Sequence, residues 1–554
     1  MLPPRKRLLQ VTTTYVRSFR QTPPQRRTIA GLSRQIPEQV KLNQVTVQLH
    51  SSPSATSSSS LKKEAIKLIS KNLRVPNTHD AAVILASKNL TSWLDDDEFI
   101  SKLLSSTTTA SSSSSSRSLK IITAAVDQVP RYDRNGVFAP GEGISIFPVN
   151  ESSVLLPDSL EKSSNNTKKP SLEFTIASLG FNGPLHVTVP LANTLFQNGK
   201  THVLAASEWT QTQNEEGWSM KQKTEKVTQI INLPPFGTTV LDQQELGSLL
   251  STSLIPLTIP RKIIAGLGNI LRLVEGDSTE PTPASKELES IIPLLLKKRK
   301  EIPSFQEQSK QGGPIGVWAL IIPKEVSSAV SIHDKYVPPI NVKSYKSSGE
   351  WELAQVTSPY VGRLLSWGCQ LRKILSGGGG WGTKQGLLSL DPETTFNSEE
   401  GNEDEDLESF IRSFKAEETN SGIVTPGSYV QFFAEGIYPR AYGQRAFHSR
   451  SSAYVLGTAS EEEEGNQVQQ RVGGDGSSWQ VHTGLFGAVS CQGIYVETDT
   501  PEHLAKTKID APGTYVVMVP ALPVAIKYEE DYMSVEEAAR LKKLEDEERK
   551  NRIE

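Results

Sequence analysis

Apolar residues recur with two different periods along this chain, and the periods separate β-rich segments from helical ones. Short runs rich in β-branched residues, punctuated by Gly and Pro, predict strands through residues 119–235 and 421–528. Residues 242–300 predict three helices, and residues 62–104 predict two or three shorter ones. The sequence therefore predicts an α+β protein with a mixed, β-rich body and packed helices.

Three shorter segments carry predictions of their own. Residues 79–90 (HDAAVILASKNL) belong to the predicted short helices, and residues 260–276 (PRKIIAGLGNILRLVEG) belong to the predicted helical region. Residues 350–356 (EWELAQV) alternate between apolar and polar side chains, which predicts a strand.

The segment SPYVGRLLSWGCQLRKILSGGGGWGTKQGLLSLDPE, residues 358–393, is the most constrained in the chain. Ser358 is predicted to cap an amphipathic helix, with Pro359 in its first turn. Glycines 377–380 are predicted to end that helix, because glycine takes left-handed conformations without strain.

Composition and predicted elements divide the chain into six parts. They are a mitochondrial presequence and flexible linker (1–60), short helices with a Ser-rich linker (61–117), an α+β core (118–397), an acidic loop (398–420), a β-rich C-terminal part that packs on the core (421–528) and an exposed, charged helix (529–554).

Charge is distributed unevenly, although the whole chain carries a net charge of only −3. Residues 1–60 contain nine Lys or Arg and one acid, Glu38, which gives about +8. A segment that is rich in Arg, Ser and Thr and almost free of acids is typical of a mitochondrial presequence, and the alternative is a disordered basic tail. The prediction is a soluble or peripherally attached protein of the mitochondrial matrix, since no apolar run approaches the roughly 20 residues that span a bilayer.

Two clusters combine cations with aromatic or glycine residues. The first is Arg363, Arg372, Lys373, Gly379, Trp381 and Lys384; the second is Arg440, Tyr442, Arg445, His448 and Arg450. Cations bind phosphates and aromatic faces stack on unpaired bases, so both clusters are candidate RNA-binding residues.

Each cluster has a structural alternative. The glycine run formally matches a dinucleotide-binding pattern, but it follows a predicted helix, whose C-terminal dipole end is negative and repels phosphate. A helix cap with a mobile loop, or a loop that closes over RNA or an anion, are the other interpretations. Strand alternation would make the second cluster an exposed hairpin with an aromatic inner face.

No catalytic or metal-binding constellation stands out. The two cysteines, Cys369 and Cys491, exclude a four-cysteine zinc site, and both are predicted to lie in the core. His482 lies nine residues before Cys491, but a nucleophilic pair also needs contact and a third, orienting group. Asp127 follows a strand, where functional acids often lie, but a turn-capping role is favoured. We therefore predict no catalytic residue, no metal and no cofactor.

The chain resembles a family of fungal mitochondrial proteins over most of residues 119–525. The resemblance lies in the segments GRLLSWGCQLRKILS and GGGGWGTKQGLLSLDPE, and in VPLANTLFQNG upstream. This resemblance implies a lineage and a mitochondrial setting, not a mechanism. The short helices, LKIITAAVDQVP and GEGISIF are weakly similar to the N-terminal half of the FIST sensory domain, which implies a small-ligand sensor. The last third of the chain shows no clear match to that domain.

The leading functional prediction is a non-enzymatic binding protein that contacts RNA or a ribonucleoprotein in mitochondrial gene expression. A FIST-like small-ligand sensor or binding module is the first alternative, and an enzyme with an unrecognised site is the second. The polar C-terminal helix is a candidate surface for a protein partner.

Overall fold

The structure is a computed structural model, and it covers most of the predicted body of the protein. It describes residues 44–49, 58–108, 117–132, 138–154, 169–176, 184–211, 217–234, 250–277, 279–301, 315–330, 336–342, 347–377, 386–396, 423–436, 453–460, 479–499 and 504–518. These residues fall within the unit Lys41–Glu554. Of residues 1–60, assigned to the presequence and linker, only 44–49 and 58–60 are described, and the predicted acidic loop and C-terminal helix lie outside the described residues.

A seven-stranded sheet combines strands from both ends of the described chain. In spatial order it contains β10 (Trp218–Glu225), β9 (Leu204–Gln211), β3 (Arg117–Val126), β2 (Ala81–Ser87), β6 (Gly143–Val149), β1 (Val45–Leu49) and β22 (Trp479–Thr483). Strand β1 lies within the range assigned to the presequence and linker, yet all five of its residues are buried between β6 and β22.

Strand β2 corrects the helix predicted for residues 79–90. It pairs parallel with β3 and antiparallel with β6, and all seven of its residues are buried. Ala81, Val83 and Leu85 enter one apolar cluster, whereas the alternate residues enter a second cluster on the opposite face of the sheet. A strand that is buried on both faces is apolar throughout, so its sequence lacks the alternation that distinguishes it from a helix.

Eight strands form a second sheet in which six close into a circuit. The strands are β13 (Leu254–Pro256), β14 (Arg261–Leu267), β15 (Ile270–Glu275), β16 (Pro281–Pro283), β17 (Val317–Ile322), β18 (Gln370–Gly377), β19 (Leu388–Leu390) and β20 (Tyr429–Glu435). Antiparallel pairing runs from β14 through β15, β19, β18, β17 and β20 back to β14. Apolar residues such as Ile263, Leu271 and Phe432 share one buried cluster with contributions from these strands.

The hairpin β14–β15 shows that the helix predicted for residues 260–276 is wrong. Gly268 adopts φ 58° in its two-residue turn, and Leu267 pairs with Ile270. The register shifts twice along this hairpin, and Ile264, Leu267 and Ile270 are apolar residues exposed on its surface. Its apolar residues therefore do not follow the simple alternation that identifies a strand.

The remaining strands form a five-stranded sheet, a four-stranded sheet and one separate hairpin. In spatial order the five-stranded sheet contains β11 (Thr228–Leu233), β7 (Ser171–Ile176), β8 (Leu185–Pro190), β24 (Ile494–Asp499) and β25 (Leu504–Ile509). The four-stranded sheet contains, in the same order, β12 (Leu250–Ser251), β26 (Tyr515–Met518), β21 (Ala453–Thr458) and β23 (Leu485–Ser490). The hairpin is formed by β4 (Val129–Tyr132) and β5 (Phe138–Gly141). The largest apolar cluster takes residues from all four sheets.

The described helices pack against these sheets. They are α1 (Ser58–Asn72), α2 (Thr91–Leu94), α3 (Asp97–Thr107), α4 (Leu195–Asn198), α5 (Lys286–Lys300), α6 (Lys324–Val330) and α7 (Ser347–Ser366), with 3-10 turns at Lys88–Leu90 and Glu151–Ser153. The described residues thus form an α+β fold rich in strands, which confirms the predicted class at that level.

Helix α7 corrects two further predictions. Residues 350–356 belong to this helix rather than to a strand, and Ser358 lies in its middle rather than at its start. The Ser358 hydroxyl donates to the carbonyl of Ala354 (2.9 Å) and accepts the amide of Thr252 (2.9 Å). These contacts tie the helix to Thr252, the residue that follows strand β12, so tertiary packing overrides the local capping signal.

Helix α7 ends at Ser366 and is capped by Gly368, before the run of glycines that was predicted to end it. Gly368 adopts φ 89°, its amide donates to the carbonyl of Leu365 (3.1 Å), and the amide of Cys369 donates to Leu364 (3.0 Å). This is the hydrogen-bond pattern of a Schellman C-cap. The residues from Gln370 onward are consequently free to enter strand β18.

Candidate functional site

Three of the eleven predicted binding residues can be placed in the structure. Arg363 lies in the last turn of α7 and is exposed, whereas Arg372 and Lys373 are neighbours on strand β18. The others, Gly379, Trp381, Lys384, Arg440, Tyr442, Arg445, His448 and Arg450, lie outside the described residues.

Arg372 is an interior residue with its guanidinium committed to the protein. Its Nη1 donates to the carbonyls of Asp391 (3.0 Å) and Glu393 (2.8 Å), and its Nη2 donates to Gln370 Oε1 (2.8 Å). Burial lowers the pKa of Arg372 to about 10, and the carboxylate of Asp391 only partly opposes that shift. Arg372 therefore holds the turn after β19 in place and does not reach a surface ligand.

Lys373 and Arg363 have different surroundings. The Nζ of Lys373 lies 5.9 Å from the centre of the Trp318 ring, within cation–π range. Arg363 lies four residues before Trp367, a partly exposed residue just beyond the end of α7. Three cations of the first predicted cluster lie among the described residues, and Arg363 is the exposed one.

Lys508 and its neighbours form an acid–lysine cluster, which we define as Asp391, Glu393, Tyr495, Lys508 and Asp510. The Nζ of Lys508 lies 3.0 Å from Asp391 Oδ2 and 2.6 Å from Glu393 Oε2. Lys508 lies on β25, whereas the two carboxylates lie on the turn after β19. The cluster therefore joins the five-stranded sheet to the closed circuit.

The acid–lysine cluster shifts the titration of its members. Burial would lower the pKa of Lys508, but the hydrogen bonds to Glu393 and Asp391 outweigh it and raise the pKa. Burial raises the pKa of Asp510, although the indole of Trp318 donates to its Oδ1 at 2.7 Å. Burial, and then the neighbouring Glu393, raise the pKa of Tyr495. Asp391 and Glu393 both pair with Lys508, so the cluster forms a junction between the two sheets.

A separate cavity of about 280 Å³ lies beside strands β9 and β10. We call it the paired-charge cavity; it is lined by Asp95, Lys200, Thr201, His202, Val203, Leu204, Ala205, Lys223 and Glu225. Leu204 and Ala205 begin strand β9, and Lys223 and Glu225 end strand β10.

Four charges alternate in sign along the wall of this cavity. The Nζ of Lys200 lies 2.9 Å from Glu225 Oε1 and 3.6 Å from Asp95 Oδ1, and the Nζ of Lys223 lies 3.4 Å from the same Asp95 oxygen. The hydrogen bond to Glu225 raises the pKa of Lys200, and that same bond lowers the pKa of Glu225. Both groups are therefore firmly ionised at neutral pH.

The short helix α4 is linked to the cavity wall through Asp95. Asn198 Nδ2 donates to Asp95 Oδ2 (3.3 Å), and Gly199 turns the chain with φ 76° so that Lys200 reaches the cavity wall. Phe196, in the same turn, has 95% of its surface exposed. A highly exposed aromatic side chain thus precedes Lys200 of the cavity wall by four positions in the chain.

The sequence signal for this cavity was weak. Asp95 and Lys223 are 128 positions apart, so their proximity depends on the packing of α2 against the sheet. Lys221, Lys223 and Glu225 do alternate along one strand, but that pattern also describes any solvated sheet face. The turn NTLFQNGK carries a better signal, because an exposed Leu–Phe pair precedes a helix-ending Gly.

Asp127 has the turn-capping role that the sequence favoured. Its Oδ2 accepts the amide of Cys491 (2.7 Å) and the hydroxyl of Ser490 (3.3 Å), which stabilises the turn between β23 and β24. Cys369 is buried, and burial raises the pKa of its thiol. A thiol that stays protonated is a poor nucleophile.

The described residues contain neither a metal-binding cluster nor a membrane-spanning helix. Within those ranges, no group of three or more His, Cys, Asp or Glu side chains could hold a metal ion. Nor does any helix in the described part of the chain combine the length and the apolar character needed to cross a membrane.

No protein-family model, no curated protein and no solved structure matches this chain.

Proposed function

We propose that this protein is a non-enzymatic binding protein that holds a small charged ligand in the paired-charge cavity. The observation that carries the proposal is the meeting of Asp95, Lys200, Lys223 and Glu225 around a space of about 280 Å³. Ligand pockets typically measure about 300–1,000 Å³ and use a few placed polar groups for orientation. A cavity just below that range suits a small metabolite rather than a polymer.

The ionisation of the cavity residues favours binding over proton transfer. A general acid or base works best when its pKa lies near the ambient pH. The hydrogen bond between Lys200 and Glu225 raises the pKa of the lysine and lowers the pKa of the glutamate, so both values move away from neutral pH. Permanent charges of this kind anchor and orient a ligand.

The proposal is tested by thermal unfolding of the full chain with a panel of small anions, cations and dipolar molecules. A ligand that binds the native state at 100 times its Kd stabilises it by about 2.7 kcal/mol. Lys223→Gln should weaken that stabilisation, because it removes one cavity charge. The matched control is Lys102→Gln, whose partner Glu98 lies one turn away on the exposed face of α3. Equal stabilisation of both variants would place the ligand elsewhere.

A second candidate is contact with RNA or a ribonucleoprotein in the mitochondrial matrix. Arg363 and Trp367 favour it, because an exposed cation and a partly exposed indole near the end of α7 suit phosphate contact and base stacking. Binding of single-stranded RNA is measured across a salt series with the wild type and Trp367→Ala. Charge-dominated contact must weaken steeply with salt, and a flat response in both proteins would reject it.

Mitochondrial delivery is part of the second candidate and has its own test. Residues 1–34 hold eight basic residues and no acid, and they should carry a fused reporter into isolated, energised mitochondria. Uptake that survives loss of the membrane potential would contradict a presequence mechanism.

A further inference from the structure

The charges around the paired-charge cavity cancel. Lys200 and Lys223 contribute +2, Asp95 and Glu225 contribute −2, and these four side chains sum to zero. We infer that the cavity selects a dipolar ligand without net charge, which carries one cationic and one anionic group. This inference rests on the proposed function, because it assigns the chemical class of the ligand held in the same cavity.

The order of the charges supports a dipolar ligand. The ion pairs connect Glu225 to Lys200, Lys200 to Asp95 and Asp95 to Lys223, so opposite signs alternate along one wall. The carboxylate of a ligand can pair with the ammonium group of Lys223, and the cationic group of the same ligand can then pair with Asp95. Each wall charge thus keeps a partner of opposite sign when the ligand binds.

Ligands with a net charge leave the wall unbalanced. A phosphate would compete with Asp95 and Glu225 for the lysines and lie beside two carboxylates, and like charges at such range repel. A diamine would meet the same difficulty beside Lys200 and Lys223. The cavity therefore discriminates against both classes by repulsion as well as by lost pairing.

The existing ion pairs can be exchanged at low cost. The side chains of the four charged residues remain between 26% and 73% exposed, and ion pairs between exposed side chains contribute only about 0–1 kcal/mol each. A ligand can displace such pairs without first opening a buried network. This distinguishes the cavity from the acid–lysine cluster, whose Lys508 and Asp391 side chains are only 16% and 14% exposed.

The test compares three probes at equal ionic strength by titration calorimetry: 4-aminobutyrate as the dipolar molecule, inorganic phosphate as the anion and 1,4-diaminobutane as the cation. The wild-type chain should bind 4-aminobutyrate at least about tenfold more tightly than either charged probe, a difference of about 1.4 kcal/mol. Lys102→Gln should keep that preference, because it lies outside the cavity.

Two variants change the charge balance in opposite directions. Asp95→Asn makes the wall +1 and should shift the preference toward phosphate, whereas Lys223→Gln makes it −1 and should shift the preference toward the diamine. Glu225→Gln replaces Asp95→Asn if the loss of the shared carboxylate prevents folding, since Glu225 is mostly exposed and changes the balance equally.

The outcomes separate the two proposals. If the wild type prefers phosphate or the diamine, and the cavity variants alter that affinity, the dipolar class is wrong but the ligand-binding function stands. If none of the three probes binds to any of the proteins, or if all variants bind like the wild type, the proposed function fails as well.

Discussion

The strongest single prediction concerns Arg299 and Glu350, which form a buried ion pair between the end of α5 and the start of α7. Arg299 Nε and Nη2 donate to the two carboxylate oxygens of Glu350, each at 2.9 Å, and Nη2 also donates to the carbonyl of Glu435 at 2.6 Å. The side chains are 3% and 0% exposed. This bidentate pair joins two helices to the end of strand β20.

Truncation of one partner should be severe. Arg299→Ala removes two hydrogen-bond donors from the buried Glu350 carboxylate, and the carbonyl of Glu435 loses one as well. Breaking a buried pair from one side typically costs about 3–5 kcal/mol, because an uncompensated charge remains. Replacing both residues, as Arg299→Met with Glu350→Leu, should recover most of that loss, since no buried charge is left.

The assay is unfolding and refolding in urea, each monitored by tryptophan fluorescence. The free energy of unfolding is taken from the midpoint and slope where the two curves coincide. Lys102→Ala is the matched control, since its pair with Glu98 is 58% and 75% exposed and should cost about 0.5 kcal/mol or less. A loss below about 1 kcal/mol for Arg299→Ala, or a double variant less stable than both single ones, would refute the reasoning.

The remaining predictions concern helix α7 and the acid–lysine cluster. Gly368→Ala should destabilise by about 1–2 kcal/mol, because φ 89° is strained for any residue with a Cβ; Gly349→Ala, in open space within the same helix, should instead stabilise by about 0.5–1 kcal/mol. Thermal unfolding of both variants checks the opposite signs, and a loss in both would contradict them. Lys508 has a raised pKa, so its stabilising effect is complete at neutral pH and is lost as the pH rises above its ordinary value of 10.5. Lys508→Met should therefore be less stable than the wild type at pH 7 and should show a smaller decline in stability above pH 10.5; parallel pH profiles would count against this role.

The local pattern of apolar and polar residues was sufficient to predict the type of most elements that are buried on one face only. Strands β7 and β8 alternate clearly, and helices α1, α3 and α5 carry an apolar stripe with polar residues between. For these segments, the period of apolar residues follows directly from burial of a single face. The predicted α+β class, rich in strands, came from such segments.

The candidate site could not be found in this way. The sequence favoured Arg372 as a surface cation, but its guanidinium is buried and donates to the carbonyls of the turn after β19. The position of an arginine in the sequence does not reveal which carbonyl groups will surround it in the fold. Asp95, Lys200 and Lys223 carry no distinguishing signal in the sequence, because exposed, charged residues occur throughout folded proteins.

What the sequence by itself determined is the kind of element that each clearly amphipathic segment forms, together with the charges available to the protein. Tertiary structure alone decided that β2 is a central strand, that residues 261–275 fold as a hairpin and that α7 continues through Ser358. Short apolar runs fit a helix or a strand almost equally well, so the choice follows from the partners on both faces. Those partners are distant in sequence, as when β1 pairs with β22, and the cavity charges meet for the same reason.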